Sequence, residues 1–313
     1  MKLIRDKNIR LPGSVVTIGN FDGVHIGHQR LMVLLQSAAS TLALPSVALT
    51  FHPHPSEFFA AHATSARIMR FSEKWRVLES FDLDYCYVMR FSEALARLSP
   101  EEFVNTILVK QLNTKKIIVG DEFKFGAKRA GDITLLKDLG QQYGFVVEAL
   151  SQSCHEGRRI CSTDIREAIQ QGDFQLSKTL MGRSFTLSGK VAYGNQIGRT
   201  LGFPTANIYL RRKQVPLMGI FVVRVFGLSQ APLPGVASVG YRPTFNGKEI
   251  LLEVHLFDFD QVIYGKRLTV EFLHKIRDEI KFTSVDALIE KMHEDAKIAR
   301  TWDKELCKIN FYN

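Results

Sequence analysis

This sequence predicts two domains of different architecture: a doubly wound parallel α/β sheet over residues 1–181, and an antiparallel β-barrel with a terminal helix over residues 182–313. Three observations predict it. The 313 residues, 45% of them apolar, are enough for two cores of ordinary size. Up to about residue 180, short β runs alternate with stretches of helical spacing. Beyond Gly182 that alternation stops, and short runs rich in β-branched and aromatic residues follow one another.

In the first part the expected strands are 15–18, 47–51, 85–89, 116–119 and 145–150. The expected helices follow Ile26 and cover 73–81, 100–112 and 132–143. Strands separated by helices argue for βαβ units and a parallel, Rossmann-like sheet. Ligands of such sheets bind beyond the carboxyl ends of the strands. Gly19, Phe51 and Gly120 each stand at such an end, so the loops after them are expected to converge. In the second part the expected strands are 185–192, 220–226, 235–239, 251–257 and 268–273, some of them separated by the turn pairs Asn246-Gly247 and Tyr264-Gly265. A last helix is expected from Thr283, with Thr283-x-x-Asp286 as its capping signal. Its apolar stripe is Val285, Leu288, Ile289, Met292, Ala296 and Ala299.

Composition excludes several classes. Nothing approaches the ~18 uninterrupted apolar residues of a membrane span. The N-terminus, Met1-Lys-Leu-Ile-Arg-Asp6, has no apolar signal core. A cytoplasmic protein with no membrane partner is expected. Cys86, Cys154, Cys161 and Cys307 show no metal or redox spacing and read as free thiols. The formal charge of +9 asks for an anionic partner. Nucleic acid is one candidate, but the basic residues are dispersed and carry no homeodomain, finger or RNP-type pattern, so none is expected. Phosphorylated small molecules account equally well for clusters such as Lys124, Lys128 and Arg129.

The richest stretch is Thr17-Ile-Gly-Asn-Phe-Asp-Gly-Val-His-Ile-Gly-His28. It leaves a strand-like run and enters a helix whose apolar residues fall at Leu31, Leu34, Leu35, Ala38 and Leu42. A strand, a Gly-rich turn and a helix together aim backbone N–H groups and a helix N-terminus at a phosphate. Gly19, Gly23 and Gly27 leave room for close backbone approach. His25 and His28 stand where that anion would lie. A Walker loop would need Gly-Lys-Ser/Thr, and the glycines do not fit the dinucleotide fingerprint. A zinc site would want His-Glu-x-x-His or cysteines at short spacing. The plainer alternative is a glycine turn bearing two surface histidines.

Gly19-x-Phe-Asp-Gly-Val-His-x-Gly-His28 resembles the signature of the nucleotidyltransferase superfamily that includes the bacterial FAD synthetases and shares a fold core with class I aminoacyl-tRNA synthetases. Thr50-Phe-His-Pro-His-Pro55, Val119-Gly-Asp-Glu-Phe-Lys-Phe-Gly126 and Ile160-Cys-Ser-Thr-Asp-Ile-Arg166 carry the same resemblance. Gly198-Arg-Thr-Leu-Gly-Phe-Pro-Thr-Ala-Asn207 is similar to the riboflavin kinase signature. Order and spacing over nearly the whole chain resemble the bacterial bifunctional riboflavin kinase/FMN adenylyltransferases. The resemblance implies riboflavin, FMN, FAD, ATP and pyrophosphate as small-molecule partners, with Mg²⁺ accompanying ATP. It implies no oligomeric state.

Adenylyl transfer needs no protein nucleophile, because the FMN phosphate is already ionised. The protein must hold two reactants and stabilise charge. His25 and His28 are the candidates, and the resemblance assigns that role to both. Gly19, Phe21, Asp22 and Gly23 complete the expected ATP-binding turn. Ser162-Thr163-x-x-Arg166 opens a helix-like segment and reads either as a plain cap or as phosphate-binding geometry. The resemblance favours the phosphates, with Cys161 where the family has a first serine. Resemblance also places His52, Pro53, Phe123 and Phe125 beside the flavin and adenine pockets. Asp121 and Glu122 are suited to ribose hydroxyls or a hydrated Mg²⁺.

For phosphorylation of riboflavin, Thr205 and Asn207 lie two residues apart. In an extended segment they face one side, chemically sufficient for a Mg²⁺–phosphate cluster. Gly189, Gly194 and Gly198 are expected to form a loop covering the nucleotide. The attacking 5′-hydroxyl calls for a carboxylate base. Glu253, in Leu251-Leu-Glu-Val-His-Leu256, reads either as a polar-face residue or as that base. The family's catalytic glutamate stands at this position, with Glu271 as the runner-up.

Overall fold

The computed structural model describes every residue except 7, 60–65, 152–153, 156–157, 195–197, 199–201, 213, 245–246 and 311–313, and except the side chains of 155, 158, 243–244, 247–248 and 303–310. By internal contacts the chain divides into two compact units, Met1–Ser65 with Met69–Ser162, and Ala66–Ile68 with Thr163–Asn313.

The first unit is built on six strands: β1 (Lys2–Ile4), β2 (Ser14–Ile18), β3 (Ser46–His52), β4 (Tyr85–Arg90), β5 (Thr114–Gly120) and β6 (Val146–Leu150). Their order is β1-β4-β3-β2-β5-β6, and every pair is parallel. Helices α1 (Ile26–Leu42) and α3 (Phe71–Glu79) supply Leu31, Met32, Leu35 and Leu78, which pack against Val15, Ala48, Cys86, Val88 and Ile118. Val16, Ile18, Val47, Leu49, Ile117 and Val119 face the other way, onto Phe103, Ile107, Leu108 and Leu136. Neighbours in a strand point to opposite faces, and a sheet covered on both faces needs the continuous apolar runs these strands have. α2 (Pro55–Phe59), α4 (Glu93–Arg97), α5 (Pro100–Phe103) and α6 (Ile133–Tyr143) complete the helices, with a single 3₁₀ turn at Ala127–Arg129. The helix expected over 100–112 is α-helical only at its start. Val104–Gln111 widens into a π-helix, with Leu112 N–H donating to Ile107 at 3.0 Å, and Val104, Ile107, Leu108 and Leu112 all reach the core.

β3 lies on one side of β2 and β5 on the other, so the winding reverses at β2. A crevice at the carboxyl ends of β2 and β5 is where such sheets bind ligands. β1 was not expected from the sequence: it is three residues long, with only Ile4 buried. A short antiparallel pair, β7 (Cys154–His155) and β8 (Arg158–Arg159), ends this unit's strands.

The second unit holds α7 (Ser162–Gln171) beyond its first residue, α8 (Phe174–Met181) and six antiparallel strands. These are β9 (Thr186–Lys190), β10 (Ala206–Tyr209), β11 (Gly219–Phe226), β12 (Leu233–Thr244), β13 (Gly247–Leu256) and β14 (Arg267–Arg277), in the order β10-β13-β12-β11-β14-β9. The two edges meet just past β9. Val191 N–H donates to Lys266 at 2.9 Å and Ala192 N–H donates to Asn207 at 2.8 Å, which closes the sheet into a barrel. Phe174 packs its ring against Phe185, Phe221 and Phe272, so α8 makes its contacts in this unit although its sequence texture matches the first.

The last helix, α9 (Val285–Asn310), packs Ala296, Ala299 and Trp302 over Val222, Val236 and Phe257. Its cap is Ser284, whose hydroxyl accepts from Ala287 N–H at 3.1 Å, and not the expected Thr283. Val285 is 60% exposed, so the apolar stripe begins at Leu288. Asn246 of the expected Asn246-Gly247 turn lies outside the described residues, as do Arg199, Thr200 and Leu201 of the second signature and the side chain of Cys307. Gly265 of the other turn has φ +77°, the left-handed conformation a turn glycine supplies.

Candidate functional site

Between β2 and α1 the chain makes a tight turn in which Phe21, Gly23 and Val24 take φ of +48°, +79° and +37°. Left-handed backbone is costly for residues with a Cβ, so the packing must hold it. Phe21 and Val24 are completely buried. The Asp22 carboxylate accepts from Met69 N–H at 3.2 Å, and the Asp22 carbonyl accepts from the Ser162 hydroxyl at 2.9 Å. Phe21 and Asp22 therefore shape the turn from inside. Gly19 is dictated by Phe21, since a Cβ there would sit 2.6 Å from the Phe21 ring.

His25 is the N-cap of α1. Its Nδ1 accepts from His28 N–H at 3.4 Å, which leaves Nε2 as the ring's donor. The His28 ring stacks on His25 at 3.6 Å between centroids and meets Phe21 edge-on at 5.3 Å. Two imidazoles and the positive end of α1 thus share one spot beyond the carboxyl end of β2, an arrangement suited to an anion. The expected capping role of Ser162 is not seen: it is the first helical residue of α7, and its hydroxyl donates to the turn. Thr163 and Arg166 belong to the second unit, where Arg166 Nε donates to the Ala66 carbonyl at 2.8 Å.

The other two loops divide into exposed and structural parts. His52 is exposed at the end of β3, and Pro53 follows it. His54 turns back, its Nδ1 2.7 Å from the Ser56 hydroxyl, and so shapes the loop. After β5, Asp121 is exposed, while Glu122 pairs with Arg159. Phe123 is partly exposed and stacks on Phe125. Phe125 is only 6% exposed, lies against Phe103 and is covered by Gly131. Phe125 is thus a core residue of the first unit.

In the barrel, Asn207 of β10 stands directly opposite Glu253 of β13, and Ser238 of β12 stands opposite Glu253 on its other side. Directly opposed residues share a face with Cβ atoms about 4.5–5.5 Å apart. Asn207 is 6% exposed, its amide donates to the Thr205 carbonyl at 3.3 Å, and Gly194 packs onto it. At Gly198 a side chain would collide with the Phe203 carbonyl and come within 3.3 Å of the Thr205 hydroxyl. Thr205, Asn207, Gly194, Gly198 and Glu253 therefore form one neighbourhood.

Gly189 does not belong to a covering loop. It is inside β9, paired with Leu268, and Ile208 fills the space of its missing side chain. Glu271 is opposite Arg224 and Thr186, on the β11 and β9 sides of β14, in a different row of the ladder from Asn207. Burial pushes the Glu253 carboxyl above its ordinary value, with Arg242 pulling against it. A second carboxylate, missed in the sequence, lies close by. Glu279 lays its carboxylate end over Gly240, and desolvation raises its pKa above the ordinary value, Arg277 opposing and Glu253 adding to the rise. Only the charged texture of Arg277-Asp-Glu279 marked it in the sequence.

A model of the FAD synthetase family matches residues 7–164, and a model of the riboflavin kinase family matches residues 181–303. The bifunctional riboflavin kinase/FMN adenylyltransferase of Haemophilus influenzae is 43% identical over 305 residues, covering 96% of this chain and 99% of that protein. That of Escherichia coli K12 is 42% identical over 304 residues, covering 96% and 97%. A crystal structure described as a macrolide-efflux protein from Streptococcus pneumoniae has a TM-score of 0.79 and 35% identity, covering 96% of this chain and 99% of that one. Among the described residues no helix is long and apolar enough to cross a membrane. Two matched domains in this order, with full-length relatives on either measure, place the chain in the family of bifunctional riboflavin kinase/FMN adenylyltransferases.

Proposed function

We propose that this chain converts riboflavin to FMN and FMN to FAD in the cytoplasm, using ATP in both steps. The observation that carries the reading is the pairing of Asn207 with Glu253. It sets a nucleotide-site amide and a half-buried carboxylate side by side on one face of the barrel. For phosphorylation, Glu253 accepts the proton of the riboflavin 5′-hydroxyl as that oxygen attacks the γ-phosphorus of ATP, and ADP leaves. A carboxyl whose proton affinity is raised by burial is the better general base once ionised. The Thr205 hydroxyl and the Asn207 amide oxygen are hard donors that would suit Mg²⁺. Bound there, Mg²⁺ neutralises charge on the phosphates.

For adenylyl transfer, a phosphate oxygen of FMN attacks the α-phosphorus of ATP in line, and pyrophosphate leaves. His25 and His28 donate to phosphate oxygens, and the α1 N-terminus adds fixed positive charge where negative charge grows. Thr163 and Arg166 are assigned to the phosphates on the strength of the motif they share with the family. His52, Pro53 and Phe123 border the flavin. The module boundary is proposed near Gly182.

The test is incubation of the full chain with riboflavin, ATP and Mg²⁺, with chromatographic separation of riboflavin, FMN and FAD. FMN should appear first and FAD after it. Failure to phosphorylate riboflavin, or accumulation of FMN without FAD, would remove one half of the proposal.

A further inference from the structure

Lysine is almost never buried unless its ammonium is hydrogen-bonded, and Lys74 of α3 is only 8% exposed. Its Nζ donates to the Asn20 carbonyl at 2.9 Å and to the Thr50 hydroxyl at 3.0 Å. The Thr50 hydroxyl in turn donates to the same Asn20 carbonyl at 3.4 Å. Asn20 is the second residue of the β2–α1 turn, and Thr50 is a buried residue near the carboxyl end of β3. One ammonium thus ties the start of the turn to the neighbouring strand. A second tie runs the same way: Met69 N–H, just ahead of α3, donates to the Asp22 carboxylate. The adjacent carboxylate, Glu73, is engaged with Arg70 through both of its oxygens.

The turn needs such anchors. Phe21 and Val24 hold left-handed backbone with a Cβ, a conformation that persists only where surrounding structure imposes it. Directly after them come His25 and the first N–H groups of α1.

We propose that Lys74 is a positioning residue for adenylyl transfer. Acting through the Asn20 carbonyl, its ammonium fixes the turn so that the α1 N-terminus and the two histidines face the ATP phosphates, and it places a buried positive charge behind them. The proposal rests on the reading of this turn as the adenylyl-transfer site.

The test uses the full-length chain. Lys74→Met keeps the length and apolar stem but removes the charge and both hydrogen bonds. Misplacement of reacting groups by about 1 Å costs on the order of 10²-fold. Turnover from FMN to FAD should fall by that order. The KM for FMN should stay within about threefold, and riboflavin phosphorylation by the same chain within about twofold. Thr50→Val, which removes one acceptor and keeps the ammonium, should slow FAD formation about three- to fivefold. In the double variant that loss should vanish, because both changes cut the same connection.

Lys74→Met with FAD turnover within threefold of the unaltered chain would overturn the proposal. So would a Thr50→Val loss that adds in full to that of Lys74→Met, since plain packing defects add. Should Lys74→Met fail to fold, Thr50→Val decides, and unchanged FAD turnover in it overturns the proposal. If the unaltered chain makes no FAD from FMN, the reading of the turn has failed; if it does and Lys74→Met matches it, only the Lys74 proposal has.

Discussion

The β2–α1 turn and the β10–β13 ladder, the two proposed phosphate sites, are built by different means. In the turn the groups are contiguous in sequence, and the local backbone is irregular: three left-handed residues, a histidine cap and a helix start within a few positions. In the barrel the backbone is regular and the groups are distant in sequence, brought together by strand register alone, with Asn207 opposite Glu253. A contiguous site depends on what holds its turn in shape. A register-built site depends on the ladder being in place, and its residues are ordinary strand positions.

That contrast can be broken most sharply at Glu253. Glu253→Gln keeps the size and the strand position but removes the base, which typically costs about 10²–10⁴ in rate. Riboflavin phosphorylation should collapse while added FMN still becomes FAD. Retention of kinase turnover would move the base to another carboxylate, with Glu279 ahead of Glu271 because Glu279 lies near the same row.

Loss of His28 should be the next largest effect. Removing one preorganised donor costs ~2.7–4 kcal/mol of barrier, or about 10²–10³ in turnover. In His28→Ala the FMN-to-FAD step should fall by that order, and riboflavin phosphorylation should persist. Its packing on His25 and Phe21 makes a small loss of stability expected as well, measurable as a lower melting temperature.

Two further predictions concern how each site is held. Gly19→Ala places a Cβ 2.6 Å from the buried Phe21 ring, and overpacking of this kind costs typically 1–3 kcal/mol. FAD formation should suffer more than kinase activity, since the clash is confined to the turn. In the barrel, fragment 163–313 should melt above fragment 182–313. The shorter piece lacks Phe174 beneath Phe185, Phe221 and Phe272, and losing a buried Phe costs about 3–5 kcal/mol. Equal melting temperatures would show that α8 contributes nothing to the barrel and that Gly182 is the working boundary.

The smallest effect is a pH shift. Glu253 must be ionised to act as a base, so kinase kcat/KM falls as pH drops through its pKa. Burial raises that pKa above the ordinary glutamate value, so the acid limb should lie above the ordinary glutamate range. Arg242→Met removes a neighbour that pulls the pKa down, and the limb should move further up. A limb that stayed in place or moved down would take Arg242 out of the electrostatics of the base.

Sequence legibility follows the same division. The turn was readable because its glycines, histidines and flanking apolar runs are contiguous, and the alternation of strands and helices was enough to expect a parallel sheet. What escaped was everything set by tertiary packing. That Phe21 and Phe125, both in loop motifs, are buried in the core could not be read from the sequence. Gly189 reads as loop glycine, yet it is small because Ile208 of the adjoining edge strand occupies its place. Nothing in the sequence marks Lys74 as buried, because its contacts with Asn20 and Thr50 are tertiary. Glu253 was distinguishable from a polar-face residue only through family resemblance, because no local pattern states which strand lies opposite.

The central claim is that the two chemistries are separate and that FMN links them. It is tested most directly by complementation. Glu253→Gln and His28→Ala full-length chains are each supplied with riboflavin, ATP and Mg²⁺, alone and mixed, and the flavins are separated by chromatography. Glu253→Gln alone should leave riboflavin unchanged, His28→Ala alone should stop at FMN, and the mixture should make FAD. A mixture that makes no more FAD than either variant alone, or FAD formed at full rate by His28→Ala alone, would contradict the account.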